Sequence, residues 1–587
     1  MFFTDAYKMG HYNMYPEGLT KLTSCLVPRN TKYAIKPINP EDADKIVVFG
    51  ISYLMGAIDS LELSLQLLSV DNDLREQSYE LLKSAGLDFP KDKLEALQKY
   101  AKSDDSKLPI EIKALPEGTI VKAGTPILTI TNTDPEHAWL VNWLETYILN
   151  TLWKPCTVAT IAYQYRKLMA HYAQETVDDD KQGFIDYQCH DFSFRGLSGF
   201  NDAKITGAAH LTSFKGSDNL AALNLAYYTY PNLSLESVAA TEHSVACSNI
   251  LFKMAMNPNL SKLEAEKEFI LDLIAKYPNG ILSYVADTYD YWAVLTEIIP
   301  SIKNEIKARN GKFVIRPDSG NVIDILCGTV SLIEWESSCR EQYGGDMPEL
   351  TLSEVIENYI EDEIVDSVLE ETEHGEPGVD EQEGYFRFKG KIYKVVVEFS
   401  WNRHDKKYYY LDGHEVRSYE QVELTAQELG TVEYLSGLFG GVVNSKGYKV
   451  LNEKIGVIYG DGVTYDTAND ILKRLKSKGF ASSNIVFGIG AVNYQFITRD
   501  TYGFAIKANS AVIDEKEISL YKDPATDPSK KSPLGAIKVV QTTEGIKFFD
   551  DRNKEDAKAY EEYPDLLQPV YSQFRPCFNG IRDKLKI

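Results

Sequence analysis

The chain has 587 residues, 44% of them hydrophobic and 25% charged, so we expect two or three globular domains. Its formal net charge of −24 disfavours nucleic acid and anionic lipid as partners, and an anionic substrate would need a local basic pocket or a divalent cation. The cysteines are scattered and form no CxxC pair, which predicts a reducing compartment without disulfides. The N-terminus lacks a signal-peptide pattern, and no apolar run approaches roughly 18 residues. We therefore expect a cytoplasmic protein without membrane spans.

The first 150 residues predict a mixed α/β region. Residues 45–58 predict a strand or turn that leads into a helix, and residues 73–86 have helical spacing. Residues 108–133 alternate apolar and polar side chains around Pro-Glu-Gly and Ala-Gly-Thr-Pro turns, which predicts a small antiparallel sheet. Residues 157–176 then predict a long helix.

From about residue 184, apolar segments end in polar, glycine-rich tips with helical stretches between them. This alternation predicts a parallel sheet with helical crossovers. Two of the helices, within residues 263–280 and 465–480, end at Asn-Gly and Lys-Gly, which are good stop signals. Six tips favour a barrel whose active site lies at the carboxyl ends of the strands. The strand tips are residues 190–199, 239–244, 283–290, 316–321, 459–463 and 487–491.

One segment interrupts this alternation. Residues 345–425 begin with an acidic stretch and continue into a strand-rich run. Within that run, residues 385–401 and 407–413 predict a hairpin or meander with Gly-Lys and Asp-Gly turns. We therefore expect an inserted acidic subdomain that is partly β.

Two segments carry groups that suit a flat ligand, namely the tip at residues 190–199 and residues 214–219. Phe192 and Arg195 could hold a ring and touch its substituent or a phosphate, and a buried Phe beside a surface Arg is the structural alternative. Asp218 could accept a hydrogen bond from a substrate N–H, whereas helix capping by Ser217 or Asp218 is a strong competing explanation.

The other tips suit a phosphorylated sugar. His243 could act in acid–base chemistry or accept a phosphoryl group. Asp287 could orient a histidine or a magnesium-bound water, with helix capping as the alternative. Asp461 suits a ribose diol, and the glycines of residues 487–491 allow backbone contacts to phosphate. Two cations that can pair with phosphate follow, Arg499 and Lys507.

Many segments resemble, in the same order, the nicotinamide phosphoribosyltransferases, a family of type II phosphoribosyltransferases. The resemblance runs from about residue 4 to residue 535 and is interrupted by the insertion. The matching segments include TDAYKMGHY, HDFSFRG, FKGSD, AATEHS, IRPDSGN, GDGV and ITRD.

The resemblance implies an irregular α/β barrel with an α/β sandwich domain, in a homodimer whose active sites lie at the subunit interface. The implied division is the N-terminal sandwich part, the barrel in two segments, the inserted subdomain and a C-terminal part that packs on the sandwich. These parts are residues 1–150, residues 151–330 with 440–510, residues 331–439 and residues 511–587.

The resemblance also implies the reaction. The 5-phosphoribosyl group would pass from phosphoribosyl pyrophosphate to nicotinamide, giving nicotinamide mononucleotide and pyrophosphate for NAD salvage. Mg²⁺ would be required and would be held mainly by the substrate's pyrophosphate. ATP hydrolysis would be coupled to the transfer through a phosphohistidine.

Residue roles follow by position within the matching segments. Phe192 would stack on one face of nicotinamide and the partner subunit's Tyr7 on the other, while Asp218 would accept from the carboxamide NH₂. Arg195 and Arg316 would flank the ring and the 5′-phosphate. The catalytic groups would be His243 as phosphoryl acceptor, Asp287 as its support and Asp318 at the ribose. The groups implied for ribose and phosphate are Arg29, Ser283, Gly460, Asp461, Gly490, Arg499 and Lys507.

The sequence departs from the family pattern in three places. Gly490 is followed by Ala491 and Val492 where the family has glycines, and Phe194 stands where Tyr is common. The insertion is far longer than the family's usual loop, and we do not expect it to carry chemistry. Two alternatives remain: a sister enzyme that uses nicotinate, which Asp218 disfavours by repulsion, and a catalytically weak homologue that acts as a binding protein through its acidic insertion.

Overall fold

The computed structural model describes residues 3–87, 91–101, 107–336, 339, 348–371, 378–403, 409–460, 462–527 and 530–571. The chain forms two compact units, Met1–Leu168 with Cys189–Ser237 and Ile489–Ile587, and Met169–Gln188 with Val238–Gly488. Among the described residues, no helix combines the length and apolar character that crossing a membrane requires. The predicted domain boundaries stay a prediction.

Strands and helices alternate over much of the chain. The strands are β1 (Leu19–Pro28), β2 (Lys45–Val47), β3 (Ile110–Ala114), β4 (Ile120–Lys122), β5 (Leu128–Asn132), β6 (Cys189–Asp191), β7 (Ala239–Ala240), β8 (Leu282–Val285), β9 (Phe313–Arg316), β10 (Leu332–Ile333), β11 (Gly378–Phe388), β12 (Lys391–Arg403), β13 (Tyr409–Val422), β14 (Gly441–Val443), β15 (Lys449–Leu451), β16 (Ile455–Tyr459), β17 (Ile485–Ile489), β18 (Phe504–Ile513), β19 (Lys516–Ser519), β20 (Lys538–Thr542), β21 (Gly545–Phe549) and β22 (Gln568–Tyr571).

The helices connect these strands and cover the sheets. They are α1 (Ile51–Val70), α2 (Asn72–Ser84), α3 (Lys91–Ala101), α4 (Ala138–Thr176), α5 (Ile185–Gln188), α6 (Phe200–His210), α7 (Leu220–Tyr228), α8 (His243–Met256), α9 (Lys262–Lys276), α10 (Tyr291–Ala293), α11 (Ile299–Ser301), α12 (Lys303–Ala308), α13 (Val322–Cys327), α14 (Leu352–Val355), α15 (Glu361–Glu371), α16 (Ala426–Leu429), α17 (Thr431–Phe439), α18 (Tyr465–Ser477), α19 (Ala491–Gln495) and α20 (Lys554–Ala557).

The first unit contains a six-stranded sheet in the order β19-β18-β1-β5-β3-β22. Its strand pairs are antiparallel, and β3 and β5 alternate buried with half-buried residues, so one face packs on the core. The predicted antiparallel sheet over residues 108–133 is confirmed for β3 and β5. The short strand β4 instead pairs with β2, because the turns at Gly118 and Gly124, both at positive φ, carry it away from its sequence neighbours.

The predicted helix over residues 157–176 is confirmed, but it begins much earlier. Helix α4 has 39 residues, starts at Ala138 and continues through Pro155. Its entrance is set by Asp134, whose side chain accepts from the backbone N–H of Glu136 in a short 3₁₀ turn. An internal proline therefore did not end the helix, because its apolar side chains pack in the core on both sides of that position.

The second unit contains the parallel sheet. Strands β17, β16, β9, β8 and β7 are neighbours in that order, and each adjacent pair is parallel. Spatial neighbours are thus also neighbours along the chain, the order of a barrel wall rather than of a sheet that reverses direction at its centre. This curled, half-barrel sheet confirms the predicted α/β fold class.

The connection between β9 and β16 contains the insertion. Strands β11, β12 and β13 form an antiparallel meander, with β10 parallel to β11 at its edge. One face packs against α14 and α15 around a core of its own, which includes Trp335, Ile360 and Phe399. The meander is as predicted, including the turn before β12.

The predicted Asp-Gly turn is wrong. Asp412 and Gly413 lie within β13, where Ser400 pairs with Gly413 and Trp401 with Leu411. Asp412 is therefore the extra residue of a β-bulge. A bulge increases the local twist of the strand, so the Asp-Gly pair bends the chain here without reversing it.

The two chain segments that flank the insertion meet at a pair of glycines. Gly328 and Gly430 have φ of 89° and 81°, and a Cβ on Gly430 would lie 2.2 Å from the backbone nitrogen of Gly328. Only glycine permits both the backbone conformation and this approach. Because its ends lie together, the insertion extends outward without separating β9 from β16, which pair directly.

Candidate functional site

The strand tips are placed as predicted. Each of the six follows or ends one of the strands β6, β7, β8, β9, β16 and β17. In the second unit, β7, β8, β9 and β16 are parallel neighbours, so their tips come out at one edge of the sheet. Residues more than 200 positions apart are thereby brought to one place.

His243 and Asp287 form a pair at this edge. His243 is the first residue of α8, and its Nε2 lies 3.9 Å from Asp287 Oδ1. The imidazole is 48% exposed while the carboxyl group is 7% exposed. His243 Nδ1 also lies 3.1 Å from Thr288 Oγ1, and Ser319 Oγ donates to Asp287 Oδ2 at 2.7 Å. The arrangement is a held carboxylate behind a solvent-facing imidazole.

The helix-capping alternative for this tip is resolved residue by residue. Asp290 Oδ1 accepts from the backbone N–H of Ala293 at 3.0 Å and caps α10. Asp287 instead accepts from the Ser319 hydroxyl and faces the histidine. The same short tip therefore contains one structural and one candidate catalytic carboxylate.

Arg316 and Ser283 lie on the neighbouring strands. Arg316 Nη2 donates to the carbonyl oxygen of Thr241 at 2.9 Å, and the Thr241 hydroxyl accepts from the backbone N–H of Val285 at 2.9 Å. Three buried polar atoms remain without a hydrogen-bond partner in the described structure, namely Arg316 Nε, Ser283 Oγ and Asp287 Oδ1. Buried polar atoms normally have partners, so their convergence at one sheet edge indicates a ligand site.

Asp318 and Gly460, which are also predicted for the site, lie in loops of this unit. Asp318 is half-buried in the loop after β9, and Gly460 is half-buried directly after β16. Neither requires a positive φ in its loop; Gly462 has the positive value, 66°. Asp461 lies outside the described residues.

In the first unit, one histidine joins Asp218 to Phe192. His190 Nε2 donates to Asp218 Oδ1 at 2.9 Å, and its ring lies 4.9 Å from the Phe192 ring, centroid to centroid. Ser237 Oγ also donates to Asp218 Oδ1, at 2.5 Å. Asp218 retains 44% exposure of its side chain, and Phe192 is half-buried. A half-covered ring and a held carboxylate thus lie side by side.

The capping alternative for Asp218 is not what the structure shows. The Ser217 hydroxyl accepts from the backbone N–H of Asn219 at 3.0 Å, and Asn219 precedes α7. The Asp218 carboxylate accepts from side chains instead. Arg195 is exposed in a short 3₁₀ turn.

The altered glycine tip has ordinary geometry. Gly490 has φ of −82°, and Ala491 begins α19 with right-handed angles, so neither position needs glycine for its conformation. A Cβ on Gly196 would lie 2.4 Å from the Ala491 Cβ. The extra methyl group is thus matched by a glycine on the facing turn.

A cluster of cations lies at the end of β1 and along β18. Arg29 donates from Nε to the carbonyl oxygen of Gly503 at 2.8 Å, and Arg499 lies 3.0 Å from Asp500. Burial and then the Arg499 charge lower the pKa of Arg29. Loss of water, with repulsion from neighbouring cations that include Arg29, likewise lowers the pKa of Lys507, against an opposing attraction from Glu145. Like charges held this close favour an anion between them.

Tyr7 lies on an anchored N-terminal turn. Its ring is 67% exposed and packs edge-on against His11, with 5.3 Å between centroids. The turn is fixed by buried Lys8, whose Nζ lies 3.1 Å from Glu145 Oε2. An exposed ring on a fixed segment can meet a second molecule without a large loss of conformational entropy.

Comparison with known proteins identifies the family. The family described as "Nicotinate phosphoribosyltransferase (NAPRTase) family" matches residues 187–348 and 413–560. A protein of Acinetobacter baylyi named nicotinamide phosphoribosyltransferase is 32% identical over 591 residues, with 99% of this chain and 95% of the relative covered. The chain belongs to the nicotinate phosphoribosyltransferase family. It is an enzyme, a pentosyltransferase.

A second curated relative agrees with this assignment. A protein of Mycoplasma pneumoniae named nicotinamide phosphoribosyltransferase is 31% identical over 543 residues, covering 90% of this chain and 93% of its own. Among solved structures, the human nicotinic acid phosphoribosyltransferase matches with a TM-score of 0.46 and 12% identity, covering 100% of this chain and 93% of that one.

Sequence reasoning missed several residues that contact the predicted groups. His190, Ser237 and Thr241 hold the predicted groups in place, and all three were outside the predicted set. His190 and Thr241 are both at least nine-tenths buried polar residues within strand tips. Their sequence neighbours do not mark them, since Asp191 follows His190 and Glu242 follows Thr241, so only their long-range partners show the role.

Proposed function

We propose that this enzyme transfers the 5-phosphoribosyl group from phosphoribosyl pyrophosphate to nicotinamide, giving nicotinamide mononucleotide and pyrophosphate for NAD salvage. The observation that carries this proposal is the contact of His190 with both Phe192 and Asp218. A ring that stacks on Phe192 would present its carboxamide to Asp218, which can accept from an amide N–H. A carboxylate substituent would meet the Asp218 charge at short range.

The phosphoribosyl half of the proposal is supported by the edge of the parallel sheet. Arg316 Nε and Ser283 Oγ are buried donors without a hydrogen-bond partner among the described residues, and they suit phosphate or ribose oxygens. Asp287 and Asp318 would stabilise positive charge that develops at the ribosyl carbon as pyrophosphate leaves. Arg29, Arg499 and Lys507 are proposed for phosphate and pyrophosphate oxygens.

We further propose ATP coupling through His243. Its imidazole is exposed to a ligand, and Asp287 is placed to stabilise the charge of a phosphorylated ring. Mg²⁺ would enter with the pyrophosphate and neutralise the leaving group. Within the described ranges, no three His, Cys, Asp or Glu side chains lie together as a metal site.

A homodimer and a cytoplasmic location complete the proposal. Helix α7 exposes Leu220, Tyr227 and Tyr228, and α8 exposes Phe252 and Met256, each more than 60%. Apolar faces of this size favour coverage by another chain. The six cysteines in the described part of the chain are free thiols, which agrees with a reducing compartment.

The test is product formation from phosphoribosyl pyrophosphate and Mg²⁺ with nicotinamide or nicotinate, each with and without ATP. We expect mononucleotide from nicotinamide and stimulation by ATP, which His243→Ala should abolish. Preference for nicotinate would refute the assigned substrate while leaving the family intact. ATP stimulation that persists in His243→Ala would exclude this histidine as phosphoryl acceptor.

A further inference from the structure

A polar cavity lies in the second unit, where the insertion meets the segments around β15 and α18. Its volume is about 200 Å³, and five of its lining residues are cations. They are Arg387, Lys446, Lys449, Lys476 and Lys478. Such a concentration is unexpected in a chain with 62 Lys and Arg against 86 Asp and Glu.

Three of these cations have structural partners. Lys478 Nζ donates to the carbonyl oxygens of Cys327 and Leu429, both at 2.7 Å, and lies 2.7 Å from Glu433. These contacts use the Lys478 ammonium group to connect the end of α18 to the segments that flank the insertion.

The other two structural pairs involve carboxylates outside the cavity lining. Lys446 Nζ lies 2.8 Å from Asp179, and Lys476 Nζ lies 3.0 Å from Glu175. Both acidic partners belong to the segment 169–188, and neither lines the cavity.

Lys449 and Arg387 are the two remaining cations of the lining. Within the described residues, Lys449 makes no side-chain hydrogen bond or ion pair, and its Nζ lies 5.0 Å from the Phe480 ring centroid. Arg387 uses Nη2 for an ion pair with Glu433. Burial and then repulsion by Arg387 lower the pKa of Lys449. Glu433, Glu334 and Glu336 oppose this shift by attracting Lys449, but Glu433 is shared with Arg387 and Lys478.

Two carboxylates also line the cavity. Burial raises the pKa of Glu334 to about 7, against an opposing hydrogen bond from Ser477. Part of the Glu334 population is therefore protonated near neutral pH and can donate rather than repel. Glu336 is exposed at the rim.

The cavity is on the opposite edge of the sheet from the strand tips. Lys449 begins β15, which precedes β16, and Gly479 lies between α18 and β17. These segments lead into the amino ends of β16 and β17, whereas the tips are at the carboxyl ends. Side chains at the amino edge of a barrel sheet ordinarily serve stability, so the catalytic site does not explain these cations.

We propose that this cavity is a second binding site, specific for a small phosphate-bearing anion held by Lys449 and Arg387. The guanidinium fork supplies paired donors and the ammonium a point charge, which together match a phosphate dianion. The volume admits a phosphoryl group and a small attached fragment. Because Trp335 and Arg387 belong to the inserted segment, the insertion would act as the wall of a regulatory site rather than as a source of chemistry.

The test is protection of Lys449 from acetylation, read by peptide mass spectrometry on the full chain. Inorganic phosphate is the probe, with sodium chloride at matched ionic strength and succinate as parallel arms. We expect saturable protection of Lys449 by phosphate, and none of Lys276, an exposed lysine at the end of α9. This readout is specific for the cavity, so phosphate bound at the catalytic site does not affect it.

Arg387→Met should raise the phosphate concentration that gives half-maximal protection about tenfold, because it removes one charge-assisted hydrogen bond. Arg387→Lys should fall between this variant and the wild type, and Lys276→Met should leave protection unchanged. Absence of saturation, equal protection by chloride, or protection that Arg387→Met leaves intact would each overturn the proposal. Protection by succinate but not phosphate would overturn the assigned chemical class.

Discussion

At the residue scale, Asp218 is the side chain proposed to distinguish nicotinamide from nicotinate. We predict that Asp218→Ala lowers kcat/KM for nicotinamide by about ten- to a hundredfold, the range for a lost hydrogen bond to a charged group. Under the proposed function, the carboxylate would accept from the carboxamide N–H while His190 holds it in place. Steady-state kinetics with both substrates measures this effect.

The control for this prediction is Asp290→Asn. Asp290 is an exposed carboxylate whose hydrogen bond caps α10, so its loss should leave the preference for nicotinamide unchanged. If Asp218→Ala retained the wild-type value with nicotinamide, the assigned role of Asp218 would be wrong.

A second residue-scale prediction concerns buried Glu117. It is fully buried and accepts from Ser52 N–H at 2.6 Å and from Tyr230 at 3.1 Å, while Oε2 has no hydrogen-bond partner within the described part of the chain. Burial raises its pKa from 4.5 to about 8. Because the folded state favours the protonated form, stability from this group is full below pH 4.5 and is lost as pH rises towards 8.

Glu117→Gln should remove this loss, because glutamine stays neutral. We expect the variant to gain stability relative to the wild type as pH rises from 5 to 8, by on the order of 5 kcal/mol at most. Denaturant unfolding across this pH range measures it, with exposed Glu136→Gln as the control. A difference between variant and wild type that stays constant with pH would contradict the expected ionisation.

At the element scale, the insertion should be separable from catalysis. Phe399 is fully buried in the core of the insertion, so Phe399→Ala should destabilise this element by about 3–5 kcal/mol. We expect kcat/KM to change less than about twofold, because the strand tips lie outside the meander. Hydrogen exchange of β11 to β13, with kinetics on the same sample, provides both measurements.

The matched control is Tyr419→Ala on the same sheet. Tyr419 is 48% exposed and should cost little stability. Loss of activity in proportion to the loss of exchange protection would show that the insertion supports the site directly.

At the scale of the whole molecule, the proposed dimer is testable through α8. Phe252 is 65% exposed on that helix, beside exposed Leu251. We predict that wild type sediments with twice the chain mass of 66.2 kDa, and that Phe252→Glu shifts it towards monomer with loss of activity, because a charge enters an apolar interface.

Lys276→Glu is the control for this change, since it adds negative charge at an exposed helix end without removing an apolar contact. A wild-type monomer with full activity would exclude the shared active site. A dimer unaffected by Phe252→Glu would place the interface elsewhere.

The sequence by itself determined the local elements and the chemical types at the strand tips. Gly479 after α18 and the alternation of strands and helices are signals within a few residues. They depend on the local sequence and can be read without knowing how distant elements pack. The family resemblance likewise depended on short segments in order.

Tertiary structure alone decided which of these side chains meet. His190 contacts Asp218 from 28 residues away, Arg316 reaches Thr241 across 75, and β4 pairs with β2 instead of its neighbours. Lys449 and Arg387 share a cavity although 62 positions separate them. Such contacts depend on how distant elements pack and on which polar groups burial leaves unpaired, and no local periodicity encodes either one.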